Sequence, residues 1–235
     1  MNVLDGLDHA VDEFVRTNRF MNEPLTAGRA RMFVRQHRLN TRQRNSVLKL
    51  RVATNIPDWD LKIDVIRAAS QEVIADNEYG EGRPHWAILE ELGRHIGLST
   101  DDMRSAKPIE STHMCWLAWE ALMSNRHWLE GLIANTCAVR SNVPGYGQGA
   151  VRELGWFGLE RERWGELFGL KDEQLEFFEL HTEADVAHSN LGWKAVADHA
   201  QRLNMVDQVV EACQVNLMVW RHYLDGIAAA GDAGG

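Results

Sequence analysis

Hydrophobic residues recur at intervals of three and four positions along most of this chain. Between Leu4 and Phe20, for example, Leu7, Val11 and Phe14 form one apolar stripe among polar neighbours. A repeat of this period places apolar side chains on one face of an α-helix. The pattern therefore predicts an amphipathic first helix that buries one face in a core.

The same pattern predicts helices through the rest of the chain, at residues 26–37, 41–55, 58–76, 111–140, 151–168, 171–200 and 205–228. All five prolines fall between these segments, where a missing backbone N–H does least harm. We therefore predict an all-α fold, with one helical domain of about seven to eight helices over residues 1–228. The Ala/Gly-rich residues 229–235 are expected to form a disordered tail.

Composition and charge exclude several classes of partner. The 235 residues carry 25 basic and 34 acidic side chains, and this formal charge of −9 disfavours nucleic acid and anionic membranes. The cysteines at 115, 137 and 213 lack CxxC spacing, so neither a disulfide framework nor a thiolate zinc site is indicated. No signal peptide and no long apolar run is evident. We expect a cytoplasmic protein that binds neither nucleic acid nor membranes.

The strongest chemical signal is a late cluster of ligand-type residues. His181, Asp185 and His188 follow one another at i, i+4 and i+7, so an α-helix would place all three on one face. An earlier segment contains Glu78 and His85, also seven residues apart. Imidazoles and carboxylates together are typical of non-heme iron sites for oxygen chemistry. The spacing therefore predicts a metal site.

With these residues in view, the sequence resembles the heme-oxygenase-like diiron oxidases and oxygenases, whose relatives include a cofactor-free quinone-cofactor synthase and the thiaminase-II proteins. The resemblance spans most of the chain. It is sharpest in residues 176–189, an aromatic-rich segment with His-x3-Asp-x2-His, and in residues 77–97, where a glutamate precedes a histidine by seven positions. It implies a heme-oxygenase-like helical bundle, a homodimer and two Fe(II) ions per chain. The iron ligands implied by the resemblance are Glu78, His85, His181, Asp185 and His188.

One ligand that the family usually supplies is missing. A further glutamate is expected upstream of the late motif, but the register falls on Gln148, with Glu153 one and a half turns later. Glutamine is a neutral and weaker oxygen donor than carboxylate. Three explanations remain open: Glu153 substitutes, the second metal position is labile, or the register is shifted by a few residues.

The ligand types leave open positions on Fe(II), where O2 can bind as co-substrate. The resemblance implies N-oxygenation, oxidative carbon–carbon cleavage or rearrangement of a small amino-acid-derived metabolite in natural-product biosynthesis. No catalytic residue separate from the metal site is predicted. Four arginines, at 35, 38, 42 and 44, could include an anchor for a substrate carboxylate, although a solvated helix face explains most of them. We assign Arg35 and Arg42 as candidates.

Two other classes of function stay open. A metal-free relative, either a cofactorless oxidase or a thiaminase-II-like hydrolase, would use the clustered histidines for acid and base work. The absence of a cysteine beside the Glu78 and His181 segments weakens the hydrolase alternative. A non-catalytic helical protein could instead hold a metal or ligand without turnover, and a closed ligand set would favour it.

Overall fold

The computed structural model describes residues 2–234, apart from the side chains of Glu183, Ala187, His188 and Leu191. All regular secondary structure in this range is helical, which confirms the all-α prediction. The helices are α1 (Val3–Thr17), α2 (Arg19–Asn22), α3 (Ala27–Arg42), α4 (Lys49–Asn55), α5 (Trp59–Val73), α6 (His85–His95), α7 (Thr100–Arg104), α8 (Glu110–Asn125), α9 (Trp128–Arg140), α10 (Ala150–Phe168), α11 (Glu176–Arg202) and α12 (Val206–Ala233). A π-helix (Gln43–Leu48) joins α3 to α4, and a 3-10 turn (Asp172–Gln174) precedes α11.

The helices outnumber the predicted ones because several long apolar patterns are interrupted. The segment predicted as one helix over residues 111–140 breaks at Arg126, whose backbone is extended with φ −104° and ψ 177°. His127 then caps α9, since its Nδ1 accepts the N–H of Leu129 at 3.2 Å. An imidazole can cap a helix as Ser or Asp does, but periodicity alone gives no sign of it. The break lets α8 and α9 pack against each other.

The core is assembled around α12, which packs against α1, α3, α8 and α9, while α11 packs against α9 and α10. Its largest fully buried side chains are aromatic, including Trp119, Trp164, Tyr223, Phe33 and Phe178. Each removes a large apolar area from water, which is the main favourable term in folding. This packing fixes α9 and α11 relative to the π-helix, and the candidate site lies between these elements. No helix in the described part of the chain combines the length and apolarity that a membrane span requires.

The C-terminal segment differs from the prediction of a disordered tail, because α12 continues to Ala233. Gly231 lies directly against Gly28 at the start of α3: a Cβ on Gly28 would stand 2.1 Å from the carbonyl oxygen of Gly231. Arg29 then donates two hydrogen bonds to the carboxylate of Asp232, at 2.8 and 2.7 Å. The composition suggested disorder, but close backbone packing and a bidentate ion pair order this end of the helix.

Candidate metal centre

The π-helix between α3 and α4 turns charged side chains into the protein. A π-turn inserts an extra residue into a helix, rotates the residues that follow, and is frequent at functional sites. Here it buries Arg44 and Asn45, and Lys49 follows as the first residue of α4. All three side chains line an interior cavity of about 60 Å³. The backbone irregularity thus supplies two cations and an amide to the interior.

Residues from α5, α9 and α11 close the cavity from the other side. Its apolar walls include Phe14, Met21, Trp156 and Phe157. Other elements line the cavity with titratable and amide side chains, namely His37, Glu72, Asn135, Asn142, His181 and Asp185. A small space with apolar walls and a few convergent polar groups is the usual form of a binding or reaction site.

Two imidazoles form the centre of the cluster. The rings of His85 and His181 lie 4.9 Å apart between centroids. His181 Nδ1 is 2.7 Å from the carbonyl oxygen of Phe177, which can only accept, so Nδ1 carries the proton and Nε2 keeps its lone pair. His85 Nε2 donates to Asp76 at 2.8 Å. Its Nδ1 has no hydrogen-bond partner among the described residues and faces Glu72 at 3.6 Å.

Each imidazole is therefore held through one nitrogen and presents the other inward. Metal-binding histidines show this arrangement, in which the second ring N–H donates to a carbonyl or carboxylate. Burial, reinforced by the nearby His85, lowers the pKa of His181 to about 3, so the ring is neutral at ordinary pH. In His85 burial also works against the charged form, but Glu72 and Asp76 outweigh it and raise the pKa.

The two carboxylates that line the cavity have opposite environments. Burial by itself would raise the pKa of Glu72, but the Lys49 ammonium and the His85 imidazole outweigh it and hold the pKa well below its usual range. Burial dominates at Asp185 and raises its pKa to about 7, although Asn142 Nδ2 donates to Oδ2 at 2.7 Å. Glu72 is thus a permanent anion, whereas Asp185 can lose its proton near neutral pH.

Sequence reasoning chose Glu78 as the partner of His85, and the structure places Glu78 elsewhere. Its side chain is exposed, because the loop after α5 folds around the fully buried Asp76. Asp76 Oδ1 accepts the backbone N–H groups of Glu78 and Tyr79, at 2.9 and 3.0 Å. Glu72, which the sequence analysis did not select, faces His85 instead. A signal for it exists, since Glu72 follows the buried Ala69 on the apolar stripe of α5.

The other predicted ligands divide into two groups. His181 and Asp185 lie together on the buried face of α11, and the side chain of His188 on the same helix is outside the described residues. Gln148 and Glu153 are both exposed. Gln148 lies in a glycine-rich turn and Glu153 in the first turn of α10, so neither is brought to the cluster.

The two arginines chosen as substrate anchors also lie outside the cavity. Arg35 is 3.8 Å from Asp102 on α7, and Arg42 is exposed beside a groove on the surface. Arg38 is also buried, paired with Glu90, but Arg44 is the one of the four candidate arginines that lines the cavity. Its guanidinium stacks over the rings of Trp119 and Trp220, at 5.2 and 4.8 Å from their centroids, and donates to the carbonyl oxygen of Ala134. The position of an arginine relative to the π-helix decides whether its side chain faces inward, and its charge does not reveal this.

Within the described residues, no three histidine, cysteine, aspartate or glutamate side chains stand ready-made as a metal-ligand group. The reason is visible in the hydrogen bonds, because Lys49 and Asn142 hold the carboxylates of Glu72 and Asp185. The donor types nevertheless fit iron: two imidazoles with a free nitrogen each and two buried carboxylates. The residues present are thus suited to an iron site, and a bound ion would have to replace Lys49 and Asn142 as the partners of the carboxylates.

Comparison with known proteins agrees with this chemistry. The fold is similar to a crystal structure from Shewanella denitrificans, described as a domain of unknown function with a heme oxygenase-like fold. The TM-score is 0.69 at 15% sequence identity, with 97% of this chain and 89% of that chain covered. No curated protein matches the sequence. A family model described as "iron-containing redox enzyme" matches residues 31–221, which include every residue of the cluster above. The chain therefore belongs to this family of iron-containing redox enzymes and adopts a heme-oxygenase-like helical fold.

Proposed function

We propose that the protein is a non-heme iron enzyme that uses O2 to oxidise a small, amino-acid-derived metabolite in natural-product biosynthesis. One observation carries the proposal. His85 and His181 lie side by side, and each is fixed through one ring nitrogen while the other faces the cluster. A purely structural histidine pair has no need of a free nitrogen on each ring, whereas a metal ligand does.

The iron would be held by Glu72, His85, His181 and Asp185, together with His188 from the sequence motif. Bound Fe(II) would supply the open coordination positions and the electrons that O2 activation needs. The residues around it have separate tasks. The Phe177 carbonyl and Asp76 orient the two imidazoles.

The apolar walls of the cavity, including Trp156 and Phe157, keep bulk water away from the ligands. Exclusion of water strengthens every electrostatic interaction inside the cavity and protects reactive species from side reactions. Asn142 holds Asp185 in place through a hydrogen bond and can follow a change in its ionisation.

Two Fe(II) ions per chain remain part of the proposal, but the second ion would be held more weakly. Gln148 and Glu153 are exposed, so further oxygen donors would come from Asp76, which already accepts two backbone N–H groups, or from neutral amides that line the cavity, such as Asn135 and Asn142. A neutral amide oxygen attracts a divalent ion less than a carboxylate does. We therefore expect one tight and one weak iron site.

The metal-free alternatives receive less support from the cavity. A general acid or base works best with a pKa near the working pH. The pKa of His181 is about 3, which disfavours the histidine chemistry of these alternatives, so Asp185, with a pKa of about 7, would have to do this work instead. All three cysteines are buried, and none lines the cavity among its described residues, so no thiol is available as the nucleophile of a thiaminase-like hydrolase.

The proposal is tested by anaerobic titration with Fe(II), followed by mixing with O2 while absorbance and O2 consumption are recorded. The native protein should bind iron and consume O2, and His181→Ala should lose both. His113→Ala, which changes an exposed histidine on α8, is the matched control and should behave as the native protein. Absence of iron binding in the native protein would reject the proposal and favour a cofactorless relative. Iron binding without O2 consumption for any candidate substrate would favour a non-catalytic metal-binding protein.

A further inference from the structure

A second, larger cavity lies outside the first, between α5, α9 and α11. Its volume is about 380 Å³ and its rim is solvent-exposed. We infer that this outer cavity is the entrance for the substrate of the proposed oxidase, and that it recognises a substrate carrying an ammonium group on an apolar carbon chain. The inference rests on the proposed function for what happens to the substrate, but the binding site can be tested without it.

The two cavities share a wall. Lys49, Asn135 and Val139 line both of them, so the floor of the outer cavity is the boundary of the inner one. A molecule bound at this floor is separated from the candidate ligands by these three side chains. The outer cavity therefore adjoins the candidate metal centre.

Asn135 at this boundary has an unused hydrogen-bonding atom. The residue is only 9% exposed, and its Oδ1 has no partner among the described residues. A buried acceptor without a donor is unfavourable, so a native structure that keeps one usually pairs it with something else. An N–H donor on a bound ligand would pair with this oxygen.

The mouth of the cavity is acidic. Asp58 and Asp64 on the α5 side face it together with Asp198 of α11. Each of the three is exposed, and Asp58 also accepts the N–H of Leu61 as the cap of α5. Arg67 contacts Asp64 at 2.9 Å, but both side chains are more than half exposed, so the pair is screened by water.

The remaining basic groups near the mouth do not cancel these carboxylates. His199 lines the cavity, and burial, followed by the nearby Arg202, lowers its pKa, so the ring is neutral at ordinary pH. Arg202 is turned toward His199 Nδ1 at 2.6 Å. Lys49 is the cation that lines this cavity, and it lies at the floor beside Glu72. The mouth thus attracts cations, and Lys49 at the floor is already paired with Glu72.

Between mouth and floor the walls are apolar, formed by side chains such as Leu61, Val65, Leu132 and Ala195. Carboxylates at the rim, apolar walls in the middle and the unpaired Asn135 Oδ1 at the floor match an amine on an aliphatic chain. An amino-acid-derived amine has this form. Simple anions and fully apolar molecules do not match it.

Isothermal titration calorimetry of the metal-free full-length protein with hexylamine, hexan-1-ol and hexanoate tests the recognition. These three probes each have six carbon atoms and carry a cationic, a neutral and an anionic end group, respectively. We expect hexylamine to bind about 5- to 10-fold more tightly than the other two, from about 1 kcal/mol of partly screened attraction. Equal binding of hexylamine and hexan-1-ol would overturn the inference.

Three variants locate the site. The double substitution Asp64→Asn and Asp198→Asn should remove most of the preference for hexylamine, whereas Asp60→Asn, on an exposed residue of α5 that does not line the cavity, should leave it unchanged. Ala195→Phe should fill the passage and abolish hexylamine binding without altering the Fe(II) stoichiometry. Hexylamine binding that survives Ala195→Phe in a folded, iron-binding protein would overturn the inference. A native protein that binds hexylamine but no iron would refute the proposed oxidase and leave the ammonium site standing.

Discussion

Lys49 and Glu72 form an ion pair inside the protein, with Nζ 3.5 Å from Oε1 and side chains only 7% and 11% exposed. Removal of one partner from such a pair leaves an uncompensated charge in a medium that solvates it poorly. The long distance shows that neither group is fully satisfied by the other. Lys49 thus acts as the cation that keeps Glu72 ionised where we propose that iron binds.

Lys49→Met should therefore lower the free energy of unfolding of the metal-free protein by about 3–5 kcal/mol. Fe(II) should stabilise this variant more than it stabilises the native protein, because the bound ion replaces the positive charge of the missing Lys49 beside Glu72. Thermal unfolding with and without anaerobic Fe(II) measures both effects. Arg51→Met is the control, since its ion pair with Glu120 is 45% and 44% exposed and should contribute at most about 1 kcal/mol. Equal losses in the two variants would contradict the role given to Lys49.

The choice between Glu72 and Glu78 can be made directly. Glu72→Gln should reduce the affinity for the tighter Fe(II) by about 10- to 100-fold, as loss of a ligand or of its support generally does. Glu78→Gln should change it little, because the Glu78 side chain is exposed. Anaerobic equilibrium titration of both variants gives the comparison. The reverse order of effects would restore Glu78 as the ligand and require the loop after α5 to rearrange on metal binding.

Acid stability should depend on the ion pairs between α3 and the end of α12. Hydrogen bonds from Arg19 and Arg29 lower the pKa of Glu23 to about 2, and Arg29 also lowers the pKa of Asp232. Because both pKa values are lower in the folded state, the stabilisation is complete above the unfolded pKa of about 4 and is lost as the pH falls through the folded values.

Asp232→Asn should therefore lower the melting temperature near neutral pH. The further fall in melting temperature between about pH 5 and pH 2 should be smaller in this variant than in the native protein. Thermal unfolding across this pH range, compared with Asp207→Asn at an exposed residue of α12, measures the difference. A disordered C-terminal segment would instead make the two variants indistinguishable from the native protein at every pH.

An exposed apolar surface fits the homodimer that the family resemblance implies. Leu50 on α4 and Met114 and Leu117 on α8 are 41%, 52% and 54% exposed, and the two helices pack side by side. Apolar side chains that are grouped in this way often mark an interface. Leu117→Glu should therefore convert a dimer into a monomer in sedimentation velocity, with unchanged iron binding per chain. A native protein that sediments as a monomer would exclude the dimer.

The helical fold and part of the candidate site could be predicted from the sequence, because both depend on the spacing of residues within one helix. His181 and Asp185 lie four residues apart within one continuous helix, so the helical period alone places them on one face. Glu78 lies beyond the end of α5, where the direction of each side chain depends on hydrogen bonds to Asp76. Side-chain direction in such a loop is set by tertiary contacts, which a residue spacing does not contain.

The arginines of the first half of the chain illustrate the same limit within a helix. A regular α-helix through residues 27–55 would keep one register, but the π-helix at Gln43–Leu48 rotates all the residues after it. Arg42 lies just before the π-helix and is exposed, whereas Arg44 lies within it and stacks over two tryptophans in the interior. The extra residue is accommodated by packing against α5 and α8, elements that lie later in the chain.

The contact between Gly28 and Gly231 joins the start of α3 to the end of α12. Because their backbones touch, a side chain at either position would separate α12 from α3, and α3 leads directly into the segment that carries Arg44 and Lys49. Relatives that keep this helix crossing should therefore keep glycine at both sites. The residue types allowed near the end of α12 are thus restricted by the need to position the segment that carries Arg44 and Lys49.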